Sequence, residues 1–343
     1  MKIACTVKLS AHQRQTVERA IPSVDLFFPQ IKFETGSPYF PTIVDPGMDG
    51  CEVLLGHINP KGLGEIAPRL RWIHLFSAGV DHVLRSDLVI KRGIMLTNSS
   101  GTTAPWIAEY VIGAMLQHCR GCKLSMRAQK EHQWSHQEVR AVCHSLRGKI
   151  LGIIGYGSIG RAVAHLAQAF GMKVMALKRH SSIHHDPGWS LPGMGDPEGS
   201  IPSRWFSPGE RAELVRLSDY ILLAPPLTPE TRHFLGAKEF AAAKPNAYLI
   251  NVARGEVIDQ NALIEALKSG QLAGSCLDVT TPEPLTSDSP LWDIENITLT
   301  FHTSAARPIA SFYDLACELF AENLSRFVSG RKLFNVIDPV RGY

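Results

Sequence analysis

A chain of 343 residues with 45% hydrophobic content can bury a substantial core and has room for about two domains. Its 35 Lys and Arg against 32 Asp and Glu leave a formal charge of +3, too small and too evenly spread to predict a nucleic-acid or membrane partner. No run approaches the roughly 18 apolar residues of a membrane span, and the 7 scattered cysteines come without a secretory signal, which argues against a disulfide framework and makes a cytoplasmic location the expectation.

In chain order, Lys2 to Val7 reads as a first β-strand, with its apolar run cut at Lys8 before it reaches the length of a signal-peptide core. Glu52 to Leu55 and Trp72 to Phe76 add strand signals, so the stretch before residue 103 is predicted to form a smaller α/β unit. A helical run begins near Ala104, and Pro105 to Arg147 supplies a long apolar helix with a Trp-containing extension. Six strands follow, at Lys149 to Ile154, Lys173 to Leu177, Tyr220 to Ala224, Ala247 to Asn251, Ser275 to Val279 and Thr298 to Phe301, most of them separated by helical patterns. That alternation predicts a mostly parallel sheet of the dinucleotide-binding type. Between two of these strands, Ile159 to Phe170 shows Val163, Leu166, Ala167 and Phe170 at helical spacing, with Gly171 as the stop. A later helix starts at the N-cap Asp259, buries Ala262, Leu263, Ala266 and Leu267, and ends at Gly270. His180 to Pro208, rich in Pro, Gly, Ser and His, is too long and too polar for an ordinary strand-to-helix link. The helix-like tail Ile309 to Val328 follows the last strand and is expected to return to the N-terminal unit. The expected domains are therefore 1–103 with 305–343, and 104–304.

The chemistry starts at Gly155-Tyr156-Gly157-Ser158-Ile159-Gly160, between an apolar strand and a helix. In that setting Gly155 permits the tight turn, Gly157 lets the backbone approach a pyrophosphate, and Gly160 lets helix and strand pack closely. The helix N-terminus then faces the negative charge. About 20 residues on, an NAD-binding unit usually carries an acid for the ribose. Here the strand ends in Lys178-Arg179-His180. An ammonium and a guanidinium attract the 2′-phosphate that a carboxylate would repel, which predicts NADPH over NADH.

Several further motifs stand in order: Ser77-Ala78-Gly79-Val80-Asp81, Leu227-Thr228-Pro229-Glu230-Thr231, Asn251-Val252-Ala253-Arg254-Gly255, Asp278-Val279 through Glu283-Pro284-Leu285, and Phe301-His302-Thr303-Ser304. With them the chain resembles, over nearly its whole length, the D-isomer-specific 2-hydroxyacid dehydrogenases, most closely glyoxylate/hydroxypyruvate reductase-like or 2-keto sugar acid reductase-like members. The resemblance implies a Rossmann cofactor domain beside a smaller flavodoxin-like α/β substrate domain, with the active site in the interdomain cleft. It also implies a homodimer, formed mainly through the cofactor domain, with Trp134 reaching toward the partner.

The implied catalytic set is Arg254, Glu283 and His302. Reducing a keto acid requires a cation to fix its carboxylate, which Arg254 can grip bidentately. It also requires an acid for the developing alkoxide, and imidazole titrates near neutral pH, which suits His302. Glu283 then orients the ring. For the substrate the resemblance adds Phe76, Ala78, Gly79 and Val80, the last three through backbone N–H groups. For the cofactor it adds His180, Ser181, Pro226, Thr231, Val252, Ala253, Asp278 and Thr103. Asp278, Thr102 and Thr103 are placed near the nicotinamide, with a buried loop acid and a helix N-cap as the competing roles. Ser182 offers a further hydroxyl for the 2′-phosphate.

Two signals are set aside. Cys119-Arg120-Gly121-Cys122 has C-x-x-C spacing, yet it is expected inside the helical run from Ala104 and is read as structural. His132 and His136, four apart, could share a helix face, but without another ligand pair no metal site is expected. The function predicted is NADPH-dependent reduction of a small 2-keto acid, with a nicotinamide-sensing regulatory protein on the same fold as the alternative. Arg307, a second cation just after His302, favours a polyhydroxylated or doubly charged substrate if it faces the cleft, and is otherwise an exposed hinge residue.

Overall fold

The computed structural model describes residues 1–21, 23–34, 37–84, 86–308, 311 and 313–339. The chain divides into two compact units, one of Met1–Thr102, Pro187–Trp189 and Arg307–Tyr343, the other of Thr103–Asp186 and Ser190–Ala306. Pro187–Trp189, expected in the cofactor domain, group with the first unit, where the Trp189 N–H donates to Asn335 Oδ1 at 3.1 Å.

The first unit contains β1 (Lys2–Cys5), β2 (Asp25–Phe27), β3 (Ile31–Glu34), β4 (Ser37–Ile43), β5 (Cys51–Gly56), β6 (Trp72–Leu75) and β7 (Met95–Asn98). Five of these form a parallel sheet in the order β2-β1-β5-β6-β7, while β3 and β4 pair antiparallel. With the antiparallel pair set aside, the order is the 2-1-3-4-5 of flavodoxin-like sheets. Side chains alternate across the pleat. Ala4, Leu54, Ile73 and Leu96 therefore build one core. Ile3, Val53, Leu55 and Trp72 build the other, against Ala316, Phe320 and Leu324 of the helix Asp314–Val328. Trp72 stacks on Phe320 with ring centroids 5.1 Å apart, so a Phe320→Ala change is expected to cost about 3–5 kcal/mol. The tail helix starts at Asp314 rather than Ile309; residues 309, 310 and 312 lie outside the described ones.

The second unit contains β8 (Ile150–Ile154), β9 (Lys173–Leu177), β10 (Arg204–Phe206), β11 (Tyr220–Leu223), β12 (Tyr248–Asn251), β13 (Gly274–Leu277) and β14 (Ile297–Leu299). All are parallel, in the order β10-β9-β8-β11-β12-β13-β14. This is a Rossmann sheet whose order reverses between β8 and β11, and ligands of such sheets bind beyond the carboxyl ends of the strands at that switch point. Burial on both faces explains why β8 and β11 read as unbroken apolar runs rather than alternating ones, and why β12 is apolar up to its closing Asn251.

Several expectations need correction. The sheet has a seventh strand, β10, inside the polar His180 to Pro208 stretch; its Phe206 is fully buried, and the surrounding Pro, Gly and Ser hide the signal. The helix Ser158–Ala169 buries Val163, Ala164 and Ala167, whereas Phe170 caps it and is exposed. The long helix ends at Cys119, Gly121 turns left-handed (φ 62°), and Cys122 opens a new helix, so the C-x-x-C bridges a break. His132 lies past the end of that second helix with φ 56°, and His136 begins the next, so they share no helix face. Among the described residues no helix is long and apolar enough to cross a membrane, and no His, Cys, Asp and Glu cluster is arranged to hold a metal ion.

Candidate active site

At the end of β8 the three loop glycines do different work. A Cβ on Gly155 (φ 94°) would lie 2.5 Å from the Pro225 nitrogen, and one on Gly160 would lie 2.6 Å from the Gly155 carbonyl oxygen. Those two positions are closed by packing against backbone. A Cβ on Gly157 would meet nothing within 4 Å. Gly157 is also the N-cap of Ser158–Ala169 and offers no side-chain cap, so open space adjoins an uncapped helix N-terminus, which suits a dinucleotide pyrophosphate. Ser158 and Ile159 are the first helical residues. The Tyr156 side chain faces away from this space: it is buried, donates to Asp196 Oδ2 at 2.8 Å and meets Trp205 edge-on, which leaves the loop only its backbone.

Lys178 and Arg179 stand at the end of β9 as expected, but both have protein partners. Lys178 Nζ donates to the Ile183 carbonyl at 3.1 Å, and Arg179 pairs with Glu230 at 3.3 Å. Burial and the neighbouring Arg161 guanidinium pull the Lys178 ammonium below its ordinary range. His180 and Ser181 begin a turn closed by the Ile183 N–H on the His180 carbonyl at 3.0 Å. The polar segment beyond is built around buried Arg161, which pairs with Asp186 at 3.2 Å and donates to the carbonyls of His184 and Asp196. Asp196 in turn accepts from Ser200 and Ile201 N–H groups at 2.8 and 3.0 Å.

The loop Leu227–Thr231 is closed by its own side chain: Thr231 Oγ1 donates to the Pro226 carbonyl and accepts from the Thr228 N–H, both at 2.7 Å. Val252 and Ala253 are buried as β12 ends. Thr103 is the N-cap of Ala104–Cys119 without a side-chain cap bond, and Thr102 is buried with its hydroxyl on the Ser99 carbonyl at 2.8 Å.

Arg254, Glu283 and His302 follow β12, β13 and β14, so all three lie beyond the carboxyl ends of adjacent strands. Asn251 shapes the arginine loop by accepting the Ala253 N–H and donating to the Arg254 carbonyl, both at 3.0 Å. Gly255 is required next, because a Cβ there would lie 2.1 Å from the Thr280 carbonyl oxygen. His302 Nδ1 meets Glu283 Oε1 at 2.5 Å, with both side chains partly exposed. His302 itself sits at φ 57°, a conformation that L-residues avoid. Asp278 holds it there: its carbonyl accepts the His302 N–H at 2.8 Å, and its carboxylate takes the Thr303 and Ser304 N–H groups at 2.8 and 3.0 Å and the Thr300 hydroxyl at 2.6 Å. Tyr110 extends this network to Thr300 at 2.7 Å. The Asp278 carboxylate is thus buried and committed to the histidine loop.

The first unit presents the other motif. The Ala78 carbonyl accepts from Asn98 Nδ2 at 2.6 Å and the Gly79 carbonyl from Ser77 Oγ at 2.8 Å, which fixes the turn, while Val80 is buried. Phe76 is buried in a ring cluster, 4.5 Å from Tyr313 and 6.0 Å from His57. Arg307 belongs to this unit and is partly buried near Tyr313 and Asp314.

Residues 112–304 match the family described as D-isomer specific 2-hydroxyacid dehydrogenase, NAD binding domain. The chain is 34% identical over 296 residues to a glyoxylate reductase of Thermococcus litoralis, covering 85% of this chain and 84% of that one. The chain belongs to this dehydrogenase family. A glyoxylate reductase of Korarchaeum cryptofilum is 29% identical over 330 residues, covering 95% and 94% of the two chains. The D-isomer specific 2-hydroxyacid dehydrogenase of Xanthobacter autotrophicus, solved in complex with NADPH and MES, superposes with a TM-score of 0.79 at 26% identity and covers 100% of this chain and 99% of that one. Membership makes the cofactor of this dehydrogenase a nicotinamide dinucleotide and its substrate a small 2-keto or 2-hydroxy acid.

Sequence reasoning missed Asn251, Thr300, Tyr110 and Arg161 as shapers of the site. Asn251 left a signal, a polar residue closing an apolar strand just before the arginine. The others act across long separations in sequence and left none.

Proposed function

We propose that the protein reduces a small 2-keto acid (glyoxylate, hydroxypyruvate or a 2-keto sugar acid) to the D-2-hydroxy acid, with NADPH preferred. The observation that best supports this chemistry is the 2.5 Å pair of His302 and Glu283 on the strand edge that also bears Arg254. Bound nicotinamide supplies the hydride. With Nδ1 committed to Glu283, His302 gives the proton on Nε2 to the alkoxide oxygen, and in the oxidative direction takes it back. Arg254 grips the substrate carboxylate and polarises the neighbouring carbonyl. On the first unit, Ala78, Gly79 and Val80 offer backbone N–H groups to a carboxylate.

Preference for NADPH is supported by two cations where an NAD-binding unit usually has an acid. A phosphate there restores favourable surroundings to Lys178, and it displaces only an exposed, screened carboxylate from Arg179. The relative from Xanthobacter, solved with NADPH, supports the same choice. A sensing role without turnover would leave the His302–Glu283 pair without a task. A homodimer through the second unit completes the proposal, supported by a Trp134 side chain that is 95% exposed and by exposed Met126 and Val142 on the same segment. A monomeric mass by light scattering at micromolar concentration would overturn that part.

The test is oxidation of NADPH and of NADH with a panel of 2-keto acids. Turnover with NADPH, reduced about 10²–10⁴-fold in His302→Ala, is expected. Turnover with none of the acids overturns the reaction, and a preference for NADH overturns the cofactor.

A further inference from the structure

The first unit holds a cavity that none of the residues discussed for catalysis lines. It lies at the carboxyl ends of β1 and β2, is broadly open to solvent with a volume of about 410 Å³, and is walled by Thr6, Lys8, Leu9, Arg14, Phe28 and Pro29 among others. That volume lies within the roughly 300–1,000 Å³ typical of small-molecule sites. Its polar character has one sign, since the wall carries two cations and no carboxylate. Among the described residues neither Lys8 nor Arg14 forms an ion pair. Cys5, the other ionisable group of the wall, adds no negative charge: burial pushes its thiol up to about 12, against the opposing pull of Arg14.

Of the two cations, Arg14 is held in place. Arg14 projects from the helix Ala11–Ala20, whose start is fixed by reciprocal capping between Ser10 and Gln13, and its guanidinium lies 5.1 Å from the centre of the Phe28 ring. Leu9 and Pro29 are buried and give the cavity an apolar floor, while Phe28 presents a partly exposed ring. Two unpaired positive groups beside an apolar floor and an aromatic face match an anion carried on an apolar body.

We propose that this cavity binds a small organic anion, with a carboxylate or phosphate between Lys8 and Arg14 and an apolar or aromatic body against Phe28, Leu9 and Pro29. The site is distinct from the Ala78–Val80 turn. That turn follows β6, which β5 separates from β1, and at about 4.8 Å per strand the cavity begins about 10 Å away along the sheet edge. A two- or three-carbon keto acid does not span that distance, so beside such a substrate the occupant is a second molecule and not the reacting one. This inference rests on the reacting acid being glyoxylate or hydroxypyruvate rather than the longer 2-keto sugar acid.

Isothermal titration of the full chain with benzoate, phenyl phosphate and inorganic phosphate tests it, with saturating NADPH present to keep the probes out of the glycine loop. Saturable binding of at least one ring-bearing probe is expected, and comparison of benzoate with phenyl phosphate tells which head group is preferred. Lys8→Ala combined with Arg14→Ala should weaken binding at least about tenfold, as loss of charge-assisted contacts implies. Both side chains are exposed, so the fold should survive, and retained thermal unfolding of the double variant checks this. Phe28→Ala should weaken the ring-bearing probes and spare inorganic phosphate, whereas Arg254→Ala should leave all three unchanged. No saturable binding below about 10 mM overturns the proposal. Equal affinity in the Lys8/Arg14 double variant, or loss confined to Arg254→Ala, overturns it too.

Discussion

Asp278 Oδ2 accepts the backbone N–H of Ser304 at 3.0 Å, while Oδ1 takes the Thr303 N–H at 2.8 Å. One buried carboxylate thereby fixes the two residues after His302. In Asp278→Asn one oxygen becomes an NH₂ group, and a donor then faces a donor at Thr303 or Ser304. Leaving such a group unsatisfied costs about 1–3 kcal/mol. The expected result is a lower thermal midpoint together with a kcat reduced by as much as about a hundredfold, since a shift of about 1 Å in a catalytic group has that effect. KM for the keto acid should change little, because Arg254 sits on another loop. A fall in KM-dependent binding with kcat intact would show that Asp278 acts on substrate rather than by positioning His302.

Glu283 and His302 separate by their substitutions. Glu283→Gln keeps an acceptor oxygen for Nδ1 but removes the charge from the 2.5 Å contact. Charge-assisted hydrogen bonds are about twice as strong as neutral ones. Turnover should therefore fall about tenfold in Glu283→Gln, less than in His302→Ala, while NADPH affinity measured by fluorescence titration stays unchanged in both. Equal losses for the two variants would contradict an orienting role for Glu283.

The parallel sheet was legible because β8 and β11, buried on both faces, are unbroken apolar runs. The glycine loop was legible because its strand and helix flank it directly. Arg254, Glu283 and His302 stood out as motifs. Their placement beyond β12, β13 and β14 needed the strand order. Other features left weaker traces. β10 is three residues in a polar setting, and its register comes from β9, not from its own pattern. The His180 to Pro208 segment looked irregular, yet Arg161 and Asp196 order it through bonds to carbonyl and N–H groups, which leave no periodicity in sequence. Lys178 and Arg179 were visible as cations, but their protein partners Ile183 and Glu230 were not.

Those partners sharpen the cofactor prediction. Lys178→Asp combined with Arg179→Ala should lower kcat/KM with NADPH at least about tenfold, at roughly 1.5–3 kcal/mol per charge-assisted bond, and lower it much less with NADH. The new carboxylate repels a 2′-phosphate and offers an acceptor to an unphosphorylated ribose. Glu230→Gln supplies a complementary check, because it removes the carboxylate that pairs with Arg179 at 3.3 Å and should leave NADPH use intact or improved. Equal losses with both cofactors in the double variant would mean that these cations support the fold around Ile183 instead.

His74, on β6 of the first unit's sheet, is fully buried, with Nδ1 on the Thr97 hydroxyl at 2.7 Å and Nε2 on the Ser99 hydroxyl at 3.2 Å. Trp72 Nε1 donates to the same Thr97 oxygen at 2.8 Å, so the ring belongs to a neutral hydrogen-bond chain. Burial pushes its pKa from 6.5 down to about 3. Above pH 6.5 the ring is neutral in folded and unfolded chains alike, and it contributes no pH dependence. Below that value the unfolded chain takes up a proton that the folded one refuses, so stability falls as pH drops from about 6.5 toward about 3. At about 1.4 kcal/mol per pH unit, His74 alone removes roughly 2 kcal/mol between pH 6.5 and pH 5. His57 and His118, each pushed down to about 4 by burial, act in the same direction over the same window. Urea unfolding of the wild type at a series of pH values from 7.5 to about 5 should show this decline, and His74→Gln, less stable at neutral pH, should show a slope smaller by about one proton. An unchanged slope in His74→Gln would mean that His74 is protonated in the folded chain, and the neutral chain through Thr97 and Ser99 would then have to be abandoned.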